Sequence, residues 1–517
     1  MWDGIDRRGF LRGTMAGGAL LTVPGGIMGC ARSPAAAVAA ANTAVPVDPF
    51  SAWYGIDAAT VRRVMAELTS RGADAADLYF QYRRSNSINM EDGIVSHAST
   101  TVDQGVGLRV VVGDQTGYAF TEELTEEAML AAARTAAAIA SAGAAIPPID
   151  LTTAARGGLY TLQVPWSDVP IGDKLPILRK VDTMARAKDA AVEKVRVSWT
   201  DEEERVVVVD LAGNVTIDER PMTRLWCSLT ARKGEQTQSN AANVAGRQGV
   251  SWYTDDRLTT LVDQAVARTM VLFEARRPPA GELPVVLAAG ASGILLHEAI
   301  GHGMEADFNR KGTSIYADMI GRSVAPEFVT IVDDGTLPGE RGALNVDDEG
   351  TRTERTVLVD KGVLASYLHD GISARHYGVP STGSGRRQSF RHVVMPRMRC
   401  TYMEDGPHSY DEIVASVDNG IVAETFTNGQ VQIGAGDFTF YIKNGWLIEG
   451  GKITAPIKDV NIIGNGPEAL KRVTMVAQDG HLDTGGWTCG KDGQSVPVSQ
   501  GMPSVLVSSL TVGGVDA

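Results

Sequence analysis

Hydrophobic and polar positions follow two spacings along this chain, and each spacing predicts a different kind of element. Helical patterns occupy Asp57–Ser70, Glu123–Ala142, Lys174–Lys188 and Leu258–Glu274. Strand-like runs occupy Leu78–Arg83, Ser87–Glu91, Val106–Val112, Gly117–Thr121, Val195–Thr200, Glu204–Leu211 and Met222–Ala231. Between the elements that end at Ala142 and those that begin at Lys174, the segment Gly143–Gly172 is rich in Gly, Pro and Thr, which indicates a loop or linker.

A Pro- and Gly-rich segment, Arg276–Gly281, marks a domain boundary. After it come a buried strand, Pro284–Ala288, a Gly-rich turn and an apolar helix with Ser292 as the expected N-cap. Further along the chain Gly, Thr and Val dominate and turn signals recur, as in a β-rich domain. We therefore predict an α+β fold, with an N-terminal α/β region over 46–278 and a β-rich C-terminal domain over 279–517.

The first residues, 1–45, form a separate segment. Asp6–Arg12 resembles a twin-arginine export signal, and Ile27–Cys30 resembles a lipobox that is followed by an Ala-rich tether. Such a segment is not part of the fold. It predicts export to the periplasm or cell envelope, with Cys30 lipidated and anchored to a membrane. The alternative is an ordinary disordered N-terminus, and the protein is cytoplasmic if the signal is not used.

Charge and cysteine content narrow the function classes. The formal net charge of −14, from 48 basic and 62 acidic residues, disfavours nucleic acid as a partner. The sequence shows no run of about 20 unbroken apolar residues, the length that a membrane-spanning helix needs. Four cysteines, Cys30, Cys227, Cys400 and Cys489, are too far apart for a CxxC metal clip.

The segment His297–His302, with the sequence HEAIGH, carries the strongest chemical signal and follows an apolar run. Buried polar side chains need partners because an unpaired one costs several kcal/mol. A divalent metal would supply that partner, since two neutral imidazoles bind Zn²⁺ and a neighbouring carboxylate, Glu298, can take a proton from water. This is the chemistry of a zinc hydrolase.

The two histidines are five positions apart, whereas the usual zinc-peptidase helix, H-E-x-x-H, has them four apart. On a regular helix the imidazoles would diverge by about 140° rather than about 40°. One extra residue in the turn, a π-bulge, restores their facing, and Gly301 would let the backbone deform. The alternative is a core helix with two hydrogen-bonded histidines.

A catalytic zinc site needs a third protein ligand, and sequence spacing does not choose it. The candidates close to the motif are Glu305 and Asp307. The distant candidates are His369, His376, His392, His408, His481 and Cys489.

Segments beyond the motif resemble the TldD/PmbA metallopeptidase family, on its catalytic TldD side. The motif itself continues through Gly303–Gly312 in the manner of that family. The other matching segments are Asp333–Gly339, Asp347–Thr351, Thr382–Ser389, Leu447–Ile453, Cys489–Gln494 and Pro497–Val498. The resemblance extends from about Gly55 to the C-terminus and is densest after Leu283.

The resemblance implies a specific site and activity. His297, His302 and Cys489 would bind one Zn²⁺ per catalytic subunit, and Glu298 would be the general base. The implied substrates are unstructured or modified peptides. The implied assembly is a homodimer, or a heterodimer with a PmbA-like paralogue.

Two arginines in the Thr382–Ser389 segment, Arg386 and Arg387, are candidates for contacting the substrate or its carboxylate. The alternative for them is a structural ion pair. The group that stabilises the oxyanion is not evident from the residues.

Two other functions compete with a peptidase. One is a non-catalytic partner subunit of the TldD/PmbA type. Such subunits have lost metal ligands, so the intact His297, Glu298, His302 and Cys489 argue against this function. The other is a zinc amidase acting on cell-wall peptides, which is compatible with an exported location.

Overall fold

The computed structural model describes residues 48–139, 150–154, 157–432 and 434–514. The predicted export segment, 1–45, and the predicted lipid on Cys30 lie outside these residues and stay predictions. No helix within the described ranges combines the length and the apolar character needed to cross a bilayer.

The described residues before Gly281 form one sheet with helices. The helices are α1 (Ala58–Leu68), α2 (Glu126–Ala137), α3 (Ile171–Lys188) and α4 (Asp255–Met270). The strands are β1 (Ala75–Glu91), β2 (Ile94–Val112), β3 (Gln115–Thr121), β4 (Thr152–Thr153), β5 (Val192–Asp210), β6 (Asn214–Lys233) and β7 (Gln236–Gly246). Single helical turns occur at Phe50–Tyr54, Trp166–Asp168, Val250–Trp252 and Val271–Phe273. The strand order is β3-β2-β1-β5-β6-β4, with β7 on β6, and only the β4–β6 pair is parallel.

The helices cover one face of this sheet. Side chains alternate between the two faces along each strand, so residues two apart on β1 contact the helices and those between them face the other way. Helices α1 and α2 pack on the end of β1 that carries Leu78 and Phe80. Helices α3 and α4 pack on the other end, over Ile88 and Trp199. The opposite face carries Tyr79, which packs against residues of the C-terminal half. The sheet therefore lies between its own helices and the domain that follows.

The sequence predicted these helices but divided the long strands. The predicted strands Leu78–Arg83 and Ser87–Glu91 are one strand, β1, and Val195–Thr200 joins Glu204–Leu211 in β5. The polar residues Arg84–Asn86 do not end β1, because β2 and β5 flank it and pair with its backbone along this stretch. Paired neighbours on both sides satisfy backbone groups whatever the side-chain pattern.

The described residues from Gly281 onward contain short helices and many strands. The helices are α5 (Gly293–Leu296), α6 (Ala306–Arg310), α7 (Gly371–Tyr377), α8 (Tyr410–Ala415) and α9 (Gly466–Lys471). The strands are β8 (Gly281–Leu287), β9 (Ile331–Asp334), β10 (Arg355–Asp360), β11 (Val363–Leu364), β12 (Gly385–Arg386), β13 (Met395–Pro396), β14 (Cys400–Met403), β15 (Asn419–Gln432), β16 (Asp437–Glu449), β17 (Lys452–Ile457), β18 (Val460–Asn465), β19 (Val473–Val476), β20 (His481–Leu482), β21 (Trp487–Lys491), β22 (Gln494–Met502) and β23 (Val505–Gly514).

Two large sheets of this half pack around the helix that begins at Gly293. In the first, the order is β15-β8-β23-β18-β16-β17, and an additional β15–β16 pairing closes five strands into a ring. In the second, the order is β11-β10-β9-β14-β22-β20, and β21 forms a hairpin with β22. Leu295, Ile300 and Cys489 belong to the same buried apolar cluster. The predicted α+β fold with a β-rich C-terminal domain is confirmed.

Candidate metal centre

A change of helix type brings the two histidines of the motif together. Helix α5 continues into a π-helix, His297–Gly301, in which the backbone N–H of His302 donates to the carbonyl oxygen of His297. This hydrogen bond spans five residues rather than the four of an α-helix. The predicted π-bulge is confirmed, and the centroids of the two imidazole rings lie 5.1 Å apart.

Gly301, inside the motif, and Ser292, before it, do not act in the way that the sequence predicted. Gly301 has ordinary helical backbone angles, φ −60° and ψ −47°, and a Cβ there would overlap the sulfur of Met398. Its small size therefore matters, rather than its conformational freedom. Ser292 occupies the N-cap position of α5, as predicted, but its backbone is helical, with φ −65° and ψ −12°, and its hydroxyl makes no capping bond. An extended backbone is what usually aims a capping side chain at the first turn.

Strand β21 brings a thiol to the histidines from the far end of the chain. The Sγ atom of Cys489 lies 3.4 Å from Nε2 of His302. The potential ligand atoms of His297, His302 and Cys489 all lie within 4.8 Å of one another, and all three residues are buried. No other trio of His, Cys, Asp or Glu in the described ranges is grouped closely enough to hold a metal.

The three residues fit a metal ion. Both ring nitrogens of His297 are buried and have no hydrogen-bond partner among the described residues, a state that costs about 1–3 kcal/mol for an unsatisfied group. A bound cation would satisfy one of them. Imidazoles and thiolates are both ligands that Zn²⁺ binds, and three protein ligands are usual in its catalytic sites. A core helix with two hydrogen-bonded histidines does not account for the unpaired ring of His297.

The environment of Cys489 favours the thiolate, which is the form that binds metals. Burial alone would raise the pKa of this thiol, but His297 and His302 hold it well below its usual value. Cys227 is equally buried but has no such neighbours, and burial raises its pKa to about 12. Burial also raises the pKa of Cys400. The difference between these cysteines is the pair of imidazoles.

Two charged residues support His302 from its other side. Oε2 of Glu305 lies 3.0 Å from Nδ1 of His302, and Nζ of Lys491 lies 3.0 Å from the same carboxylate oxygen. Burial alone would raise the pKa of Glu305, but Lys491 and His302 hold it at about 2. Glu305 was a candidate third ligand, and the geometry places it behind an imidazole instead.

Sequence reasoning missed Lys491, although a signal for it exists. Cys489 and Lys491 are two positions apart on β21, and alternate residues of a strand share a face. Their burial pattern, with Gly490 exposed between them, shows that alternation. Nζ of Lys491 also lies 2.7 Å from Oδ1 of Asp307, the second near candidate for the third ligand.

Glu298 is the residue of the motif with access to solvent. Its side chain is 23% exposed, whereas that of His302 is 4% exposed. Its Oε2 atom lies 3.9 Å from Nε2 of His302, on the side of the ring that faces Cys489. This position allows a carboxylate to reach a water molecule or a substrate beside the ligand cluster, which is His297, His302 and Cys489.

The two arginines predicted as candidates for substrate binding, Arg386 and Arg387, contact other residues of the protein. Arg386 is buried and donates to the carbonyl oxygens of Met398 and Pro497 at 2.6 and 2.7 Å. Nη2 of Arg387 lies 2.9 Å from Oδ1 of Asp77. For Arg387 the geometry is that of the structural ion pair, and contact of either arginine with a substrate stays a prediction.

The histidines that were candidate ligands lie elsewhere. His369 is buried, and burial lowers its pKa to about 4. The ring nitrogens of three others are within hydrogen-bond distance of Ser389 (His392), Val476 (His408) and Asp479 (His481). His376 contacts the ring of Tyr377.

Family models match most of the described chain. They are the PmbA/TldA metallopeptidase domain 1 over 76–140, the central domain over 164–273 and the C-terminal domain over 280–514. The sheet of the N-terminal half joins the first two, because β1 pairs with both β2 and β5.

Individual relatives agree with these models. The chain is 39% identical to a "Metalloprotease TldD homolog" from Haemophilus influenzae, over 88% of this chain and 96% of that protein. It is 26% identical to a "Zinc metalloprotease TldD homolog" from Saccharolobus solfataricus, over 86% of this chain and 97% of that protein. The crystal structure of TldE from Thermococcus kodakarensis has a similar fold, with a TM-score of 0.69 and 19% identity, over 88% of this chain and 99% of that one. The chain therefore belongs to the PmbA/TldD metallopeptidase family.

Proposed function

We propose that this protein is a zinc peptidase that hydrolyses peptide bonds in unstructured or modified peptides. In this proposal His297, His302 and Cys489 hold one zinc ion, and Glu298 is the general base. The observation that carries the proposal is the convergence of two imidazoles and a thiol within 4.8 Å, from segments far apart in the chain.

Each residue has a chemical task in this proposal. A bound zinc ion supplies a Lewis acid that acidifies water and polarises a carbonyl. The carboxylate of Glu298 accepts the proton of the attacking water and passes it to the leaving amine. Because its side chain is partly exposed while the ligands are buried, Glu298 can meet both the water and the scissile bond.

The test compares wild-type protein with Glu298→Gln on a peptide library, with zinc content measured by elemental analysis. We expect hydrolysis to fall by about 10²- to 10⁴-fold, the usual contribution of a general base, while zinc content is unchanged. Glu126→Gln is the matched control, since Glu126 is exposed and pairs with Arg63 on the helices of the N-terminal half. Undiminished cleavage by Glu298→Gln would refute the assigned base.

The same library distinguishes the rival functions if it includes cell-wall peptides. Cleavage confined to cell-wall peptides would replace the peptidase with an amidase. Cleavage that requires the partner and is unaffected by Glu298→Gln would indicate a non-catalytic subunit.

Partnership and location are also part of the proposal. The fold similarity to a protein named TldE supports assembly with a paralogue of the same fold, and a homodimer is the other form. Purification of the full chain from its native cells, followed by mass determination, separates the two. Fractionation of the same cells tests the predicted export, because protein found only in the cytoplasm would contradict it.

A further inference from the structure

Both nitrogens of His302 have fixed neighbours. Nε2 lies 3.4 Å from Sγ of Cys489, and Nδ1 lies 3.0 Å from Oε2 of Glu305. The two nitrogens lie on different edges of the ring, so the carboxylate and the sulfur are on different sides of it. A carboxylate can only accept, so Nδ1 carries the proton and the lone pair of Nε2 points to the ligand cluster.

The carboxylate that fixes this imidazole is itself held by Lys491. The ammonium of Lys491 lies 3.0 Å from Glu305 and 2.7 Å from Asp307, and it donates to the carbonyl oxygen of Pro396 at 3.1 Å. These three partners use its three donors. The side chains of Lys491 and Glu305 are 1% and 0% exposed, so water does not compete for these bonds.

The same strand carries the thiol and the ammonium. Cys489 and Lys491 both lie on β21 with side chains on one face, and they contact opposite sides of His302 through sulfur and through Glu305. Docking of this one strand therefore supplies a ligand and fixes the ring of another ligand at the same time.

We propose that Glu305 and Lys491 are positioning residues that orient His302 for metal binding. Glu305 accepts the Nδ1 proton, and Lys491 holds Glu305 in place and balances its charge. This inference rests on the proposed function, since it concerns the same metal site. Partners of this kind contribute about 10- to 100-fold to metal affinity in other proteins.

The test measures the Zn²⁺ affinity of the metal-free full-length protein by competition with a chromophoric chelator. Visible spectra of the Co²⁺-loaded protein report the coordination geometry in parallel. We expect Glu305→Ala and Lys491→Met to lose about 10- to 100-fold in affinity and to change the cobalt spectrum. Glu305→Gln and Lys491→Arg, which keep an acceptor and a cation, should recover part of the loss. Asp263→Ala and Lys188→Met, from an exposed ion pair of the N-terminal half, are the matched controls.

The outcomes separate the two claims. Wild-type affinity and an unchanged cobalt spectrum in Glu305→Ala and Lys491→Met would overturn the positioning role. If those two variants do not fold, unchanged affinity and spectrum in Glu305→Gln and Lys491→Arg would overturn it. If the variants lose affinity but wild-type protein cleaves no peptide, the positioning role stands and the proposed function fails. If wild-type protein binds no metal, both fail.

Discussion

Two clusters of buried polar side chains in this molecule are satisfied in different ways. The first, here called the seam network, joins the N-terminal sheet to the C-terminal half through Asp77, Arg109, Arg220, Asp348 and Arg387. Arg220 Nη1 lies 2.6 Å from Asp348 Oδ1, and each of the five has an opposite charge within ion-pair distance. Each charged group of the network therefore has a counter-ion inside the protein.

The second cluster is formed by His297, His302 and Cys489, and it is not self-sufficient. His302 has partners on both nitrogens, whereas His297 has none among the described residues. Both clusters are buried and both contain several ionisable groups. Burial and unusual pKa values therefore do not distinguish a binding site from a structural network. Arg109 and Arg387 of the seam network each leave some donors unpaired, but His297 has no partner on either ring nitrogen within the part of the chain that the structure describes. The distinguishing feature is this wholly unpaired side chain, within 4.8 Å of two further potential metal ligands.

The largest expected effect comes from breaking the seam network. Arg220→Met leaves Asp218 and Asp348 without that partner, and it should lower the free energy of unfolding by about 3–5 kcal/mol, the usual cost of removing one member of a buried pair. Urea denaturation measures this change. The Zn²⁺ affinity of the folded variant should equal that of wild-type protein.

Arg63→Met is the control for that experiment. Arg63 pairs with Glu126 at the surface, where solvent screening leaves an ion pair little effect on stability. If Arg220→Met and Arg63→Met destabilised the protein equally, the seam network would not have the structural role assigned to it.

An effect confined to metal binding, with no comparable loss of fold stability, is expected from a change in the cluster of His297, His302 and Cys489. Cys489→Ser should weaken Zn²⁺ binding by more than about 100-fold, because loss of a ligand exceeds the usual upper limit for an indirect partner. That factor corresponds to about 2.7 kcal/mol. Chelator competition measures it. Cys227→Ser, at a buried thiol surrounded by apolar side chains, should leave affinity unchanged, and an equal loss in both variants would contradict the assignment of Cys489.

The smallest expected effect is the response of the seam network to acid. Burial would raise the pKa of Asp348, but Arg220 and Arg387 hold it below its usual value. A carboxylate with a lowered pKa in the folded state stabilises the fold above its unfolded value, near 3.9, and this contribution disappears as the pH falls through the folded value. The stability difference between wild-type protein and Asp348→Asn should therefore narrow below about pH 4. Urea denaturation at pH 6, 4 and 3 checks this, and a constant difference would contradict it.

The local part of the site was predictable because its signal is local. The five-residue spacing of His297 and His302 predicted the π-helix from geometry alone. The spacing could not select Cys489, which lies 187 positions after His302, and only the family resemblance identified it. Glu305 was noticed as a carboxylate near the motif, but its role depends on Lys491, which arrives from the same distant strand.

The helices of the N-terminal half were also predictable, since 3.6-residue periodicity is written into each segment. The strands were harder, because a strand such as β1 is continued by hydrogen bonds to neighbours that the local sequence does not contain. Ser292 shows the same limit of local sequence. Serine is a residue type that suits an N-cap, but the backbone angles of Ser292 do not aim its hydroxyl at the first turn.

The strand order in the closed ring of five strands, β15-β8-β23-β18-β16, has a consequence for biosynthesis. Strand β8 leads into the histidine helix, yet it pairs with β23, the last described strand of the chain. At about 5–20 residues per second, the 187 positions between His302 and Cys489 take roughly 10–40 s to translate. A nascent chain during that interval carries both imidazoles without their sulfur partner. If the proposed zinc is bound, its stable loading requires a chain that has been translated past Cys489, and products truncated before Cys489 should not retain the ion.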